Sequence, residues 1–186
     1  MSDPTQSRRI ILTYEDYLSL PDDRNRYQIL EGELAVAPSP SVRHQKVSRN
    51  LELVLFSHVK ARHLGEILYA PVDIVLDDIN IVVPDMVFVS KARESFIKDK
   101  KIAGSPDLII EILSPSSLRY DRISKTQIYA KHGVEWYWIV DADHQTIEEY
   151  HLEDHAYKIA GTYERDALFC PQIFPELQIP LSQVWA

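Results

Sequence analysis

The sequence predicts one α+β domain, and three observations carry that prediction. Short apolar stretches with strand character, bounded by Gly, Pro or Asp, are scattered along the whole chain. Between them lie only a few helical patterns, one of them long and amphipathic. No repeat, low-complexity tract or linker divides the 186 residues, a length that suits a single core.

The elements follow in order. Thr13, with Asp16 as a first-turn acid, reads as the N-cap of a short helix over residues 14–19 that Pro21 stops. RYQILEGELAVAPSP alternates loosely around Gly32 and predicts a hairpin. From Ser41 a long helix runs to near Gly65, with Val47, Leu51, Val54, Leu55 and Val59 at helical spacing and basic residues on the other side. EILYAPVDIVL and NIVVPDMVFVS predict strands joined at an Asp77-Asp78 corner. The charged loop KARESFIKDKKIAGS leads to a strand over 108–113. Ser116 or Ser117 then caps a helix to His132, which Gly133 ends. VEWYWIVDADHQTIEEYHL reads as strand, turn and strand, YKIAGTY as another strand, and the Pro-rich tail ends in a short helix over 181–185. Residues 1–10 read as a flexible N-terminus.

Composition excludes several classes. The net charge of −8 argues against a broadly basic nucleic-acid surface, though not against a local basic cleft. No apolar run approaches the roughly 20 residues that span a bilayer, so no membrane partner is expected. The N-terminus lacks an apolar secretory core. Cys170 is the only cysteine, which precludes an internal disulfide or a cysteine-based zinc site and fits a cytoplasmic location.

Glu111 is the anomaly. Leu108, Ile109, Ile110, Ile112 and Leu113 make its strand apolar on both faces, hence covered on both sides. An ionised carboxylate placed there without a partner costs several kcal/mol. A buried Arg or Lys, an outward position on an edge strand, or a shared metal would each resolve it. For a metal, two Pro-Asp pairs compete, at Asp85 and Asp107. Oxygens sharing one Mg²⁺ lie within roughly 4 Å of one another. Asp107 sits on the Glu111 strand itself, about 13 Å away, whereas neighbouring strands lie about 4.8 Å apart. Asp85, which heads another apolar strand, is the better partner. Pro-Asp alone is a common turn, but the two acids together favour the metal.

Taken together, GEL followed by His44 on a helix, VVPDMVFVS, GSPDLIIEILSPSS, then Asp121, Lys125 and Tyr129, then GVEWYWIVD resemble the Uma2 family of restriction-endonuclease-like proteins, within the PD-(D/E)xK nuclease superfamily. The resemblance runs from about Thr13 to the C-terminus. It implies a mixed β-sheet flanked by helices, and a metal site of Asp85, Glu111 and the backbone carbonyl of Ile112. It implies Mg²⁺- or Mn²⁺-dependent hydrolysis of DNA. The superfamily lysine, two residues after the acid, is here Leu113, so its role is either lost or moved. Lys125, which lies along one helical stripe with Asp121, Tyr129 and His132, is the residue to which it would move. The competing reading of Lys125 is a surface pair with Asp121. Glu33 and His44 are second-tier, His44 being more often a packed or capping residue, and Asp73 is weaker still. Aromatics in WYWIV and in the tail point to a homodimer. Leu113 and the net charge favour an alternative, a catalytically degenerate binding or assembly module. Hydrolysis of a small phosphate ester shares the same metal chemistry.

Overall fold

The structure, a computed structural model, describes residues 10–23, 25–37, 39–114 and 120–186, the last stretch without the side chains of residues 120 and 121. The expected flexible N-terminus therefore lies outside the described residues except for Ile10, as do the caps expected at Ser116 and Ser117 and the side chain of Asp121.

Thr13 opens α1 (Tyr14–Leu18) with a reciprocal cap, its N–H donating to the Asp16 carboxylate at 2.8 Å. β1 (Arg26–Leu30) and β2 (Glu33–Ala37) form the predicted hairpin. Glu31 and Gly32 are both left-handed (φ 51° and 78°), the two-residue turn whose twist matches its strands. α2 (Val42–Ala61) starts at Ser41, whose hydroxyl accepts from the His44 N–H, and it buries Val47, Leu51, Leu55 and Val59. β3 (Gly65–Tyr69), β4 (Ile74–Asp77), β5 (Asn80–Val82) and β6 (Met86–Ser90) follow. The charged loop holds a 3₁₀ turn, Lys91–Phe96, and the short strand β7 (Ile102–Ala103), before β8 (Leu108–Ile112). After α3 (Thr126–Lys131) come β9 (Trp136–Asp141), β10 (Thr146–Glu153) and β11 (Ala156–Glu164). The tail adds β12 (Leu168–Phe169), β13 (Ile179–Pro180) and α4 (Leu181–Val184).

The central layer is a six-stranded mixed sheet in the order β11-β10-β9-β8-β6-β3, parallel only between β8 and β9. Because side chains alternate, β8 feeds two cores. Leu108, Ile110 and Ile112 join Met86, Phe88 and Trp138 against α2, α4 and the tail aromatics Phe169 and Phe174. Ile109 joins Val87, Tyr137 and Ile139 against Ile128 and Tyr129 of α3. Leu30, Ile74 and Val82, from a second sheet in the order β2-β1-β5-β4-β7, complete that layer. This is the α+β, mixed-sheet architecture expected.

One expectation needs correction. Within the helix expected as far as His132, Tyr120–Lys125 form a π-helical turn ahead of α3. Tertiary anchors hold this wider turn in place. The Arg122 guanidinium donates to both carboxylate oxygens of Glu148 on β10 (2.8 and 3.2 Å), and His132 Nε2 lies 2.8 Å from Asp77 Oδ2 on β4. Gly133, left-handed at φ 72°, ends the helix as predicted. Of the aromatics cited for a dimer, Trp136, Tyr137 and Trp138 are buried in the core of one chain, whereas Trp185 in the tail is half-buried. Among the described residues, no helix is long and apolar enough to cross a membrane.

Candidate functional site

The β6–β8 ladder sets the geometry. Met86 pairs with Ile110, Val87 with Ile109 and Phe88 with Leu108, so one further step puts Asp85 opposite Glu111. Cross-strand neighbours of this kind have Cα atoms about 5 Å apart. Asp107 is engaged elsewhere. Its carboxylate accepts from the Ser90 N–H at 2.7 Å and lies 3.5 Å from Arg93 Nε.

Asp85 precedes the first residue of β6, and its side chain supplies the next rung of the ladder: Oδ2 accepts from the Ile112 N–H at 2.8 Å. Within a strand, N–H and C=O of one residue point to the same side, so the Ile112 carbonyl is directed toward Asp85 as well. His44 Nε2 lies 3.2 Å from the same carboxylate oxygen, and Arg26 Nη1 lies 3.8 Å from Oδ1. His44 is buried at the start of α2. It is thus packed, as expected of a histidine there, and it also orients Asp85.

Glu111 is 3% exposed, and its compensating charge comes from within the chain. Oε1 accepts from Lys125 Nζ at 2.8 Å and from the Tyr129 hydroxyl at 2.7 Å. Lys125 is itself 4% exposed, which excludes the surface-pair reading. Of the partners weighed for Glu111, the buried lysine is present. Tyr129 is fully buried, its ring edge-on to Tyr137 with centroids 5.2 Å apart. The π turn delivers Lys125 and α3 delivers Tyr129, both over the face of the sheet that carries Ile109 and Ile139.

The remaining acids lie elsewhere. Glu33 is exposed on β2 opposite Leu30. Asp73 accepts from the Tyr17 hydroxyl at 2.9 Å, an anchor for α1, and burial pushes its carboxyl up. Asp77 is the turn residue expected, accepting from the Ile79 N–H and the Asn80 amide.

Among the described residues, no three His, Cys, Asp or Glu side chains are grouped to hold a metal. Two carboxylates and a carbonyl are nevertheless a hard-oxygen set of the kind Mg²⁺ and Mn²⁺ take, the rest of the shell being water. A cleft of about 280 Å³ opens at Asp85, lined among others by Arg26, His44, Gln45, Arg49 and Tyr69. Arg26 was not singled out in the sequence, where it is one basic residue at a strand start. Tyr129 was visible as the residue one helical turn beyond Lys125, but without a role.

Residues 14–182 match the model of the Uma2 family, described as "Putative restriction endonuclease". An uncharacterized protein of Synechocystis sp., slr1290, is 26% identical over 148 residues, 77% of this chain and 75% of that one. A crystal structure from Anabaena variabilis, described as "a putative nuclease belonging to DUF820", superposes with a TM-score of 0.78 over 94% of this chain and 97% of that one. At 24% identity it establishes the fold alone.

Proposed function

The chain belongs to the Uma2 family, and from that membership and the site's geometry we propose that it is a Mg²⁺- or Mn²⁺-dependent endonuclease hydrolysing DNA phosphodiester bonds. The observation that carries the reading is the buried Glu111, set opposite Asp85 and contacted by Lys125 and Tyr129. Asp85, Glu111 and the Ile112 carbonyl would hold the ion. When bound, the ion polarises a phosphoryl oxygen and lowers the pKa of a coordinated water.

The chain's own groups do the rest. The Ile112 N–H and His44 fix the Asp85 rotamer, so its carboxylate does not have to reorganise. Tyr129 fixes Glu111. Lys125 Nζ supplies positive charge beside the reacting phosphate, the role left open by Leu113. Two monomers paired about a symmetry axis would cut both strands; a solution mass that stays at one chain would count against that pairing.

The deciding experiment is a nicking assay on plasmid DNA, titrated with Mg²⁺ and Mn²⁺, for wild type and for Asp85→Ala, Glu111→Ala and Asp107→Ala. Activity that survives only Asp107→Ala is the expected result. A second reading has an observation of its own. Lys125 already neutralises Glu111 without a metal, as it would in a nuclease fold kept as a binding or assembly module. A wild type that binds neither metal nor cuts DNA would establish that reading instead.

A further inference from the structure

The cleft at Asp85 has two sides of different chemistry. Along α2, His44, Gln45, Ser48, Arg49 and Glu52 follow one another at helical spacing and form its polar wall. Arg26, from the start of β1, and Tyr69, from the end of β3, form the other. Tyr69 is 56% exposed, an aromatic ring left at the mouth of a polar cleft rather than used in the core. The Arg49 guanidinium is tethered: Nε and Nη2 both donate to Asn50 Oδ1, and the Asn50 amide donates in turn to the Val184 and Ala186 carbonyls. In a chain of net charge −8, two guanidinium groups therefore flank a single cleft, with Glu52 as its acidic end.

We propose that this cleft is a subsite for an unpaired DNA strand, in which Arg26 and Arg49 hold one backbone phosphate and the Tyr69 ring stacks on the adjoining base. The proposal rests on the nuclease reading for its direction, because it places the held phosphate beside Asp85. A planar guanidinium matches phosphate geometry with paired hydrogen bonds. An exposed ring stacks on any base but requires that base to be out of a duplex, so the cleft selects strand ends, flaps or loops over continuous double helix. Glu52 bounds the phosphate-binding wall after one position, which suits local capture of a strand rather than tracking along it.

The test is fluorescence anisotropy in EDTA with labelled oligo(dT) and a duplex of equal length, on wild type, Tyr69→Ala, Tyr69→Phe and Arg49→Gln. Tyr69 and Arg49 are exposed, so these variants should leave the fold intact. Wild type should prefer oligo(dT). Tyr69→Ala should weaken oligo(dT) binding by about five- to a hundredfold, the scale of one base stack, and Tyr69→Phe should retain it. Arg49→Gln should reduce the slope of log affinity against log salt by about 0.7. A preference for the duplex, or Tyr69→Ala binding like wild type, would overturn the proposal. If oligo(dT) binds as expected but plasmid is never cut in Mn²⁺, the nuclease reading fails and the subsite stands. If plasmid is cut equally by wild type, Tyr69→Ala and Arg49→Gln, with equal affinities, the subsite fails and the nuclease stands.

Discussion

Two glutamates are buried in the same six-stranded sheet, on opposite faces, and the chain treats them differently. Glu111 on β8 faces α3, where an ammonium and a phenol meet one of its oxygens. Glu149 on β10 faces the tail, where Oε1 accepts from the Gln172 N–H at 2.9 Å. Glu149 Oε2 and the cross-strand Trp138 indole N–H are both buried without a hydrogen-bond partner. Burial pushes the Glu149 carboxyl up, outweighing the Gln172 N–H that favours its ionised form. Burial thus has two outcomes for the same side chain. Where the fold supplies a cation, the charged carboxylate has a compensating partner; where it supplies only dipoles, burial favours the neutral carboxyl.

The largest effects come from taking Glu111 and Lys125 apart. Glu111→Ala removes the carboxylate that the buried Lys125 ammonium contacts, a loss of about 3–5 kcal/mol in urea unfolding. Combining it with Lys125→Met should recover much of that loss. Additive costs would show that the two groups do not interact. Lys125→Met alone should lower the cleavage rate by about 10²–10³-fold, the scale of one preorganised electrostatic group. It also removes the cation that competes for Glu111, so Mn²⁺ should raise the melting temperature of Lys125→Met more than that of wild type. An equal rise would separate Lys125 from the metal site.

Glu149 tests the other half. A folded-state pKa above the usual 4.5 means that the folded chain holds a proton that the unfolded chain has released. Its contribution is therefore complete below pH 4.5 and is lost as pH rises through the folded value. The slope can reach about 1.4 kcal/mol per pH unit. Subtracting the stability curve of Glu149→Gln from that of wild type should give a difference that falls with pH above that point. A flat difference would mean that burial does not raise the Glu149 carboxyl above its unfolded value.

The sequence made one of these glutamates visible and hid the other. Glu111 breaks a run that is apolar on both faces, so no periodicity can turn it outward. Glu149 sits in TIEEYHLE beside Glu148, where alternation allows either acid to point in, and a bulge between Glu149 and Tyr150 disturbs the pairing that would decide. The helices and hairpins were legible because caps, turns and periodicity are local. The split into separate sheets was not, because strands of two to five residues carry no record of their distant partners. Lys125 was legible as a helix residue but not as a buried one, since the π turn and α3 are anchored through Arg122 and His132 to Glu148 and Asp77 on two other elements. Arg26 carried no signal at all.

Asp77 is the intermediate case and the smallest expected effect. Burial pushes its carboxyl up, but hydrogen bonds from His132, Asn80 and the Ile79 N–H together hold it below the usual 3.8. Unlike Glu149, it should therefore stabilise the fold above the unfolded value and lose that contribution as pH falls through the lower folded value. His132 places Nδ1 2.7 Å from the Ile128 carbonyl and Nε2 2.8 Å from Asp77 Oδ2. The pair joins the end of α3, and so the element that carries Tyr129, to the second sheet. The Asp77 side chain is 36% exposed, so solvent screening should keep the cost of Asp77→Asn below about 1 kcal/mol at neutral pH. Urea midpoints for wild type and Asp77→Asn should converge on acidification below pH 4, while those for wild type and Glu149→Gln change mainly on the alkaline side of pH 4.5. If the Asp77→Asn gap instead widened toward acid, Asp77 would belong with Glu149 as an acid whose burial dominates, and the hydrogen bonds from His132, Asn80 and the Ile79 N–H would not suffice to offset that burial.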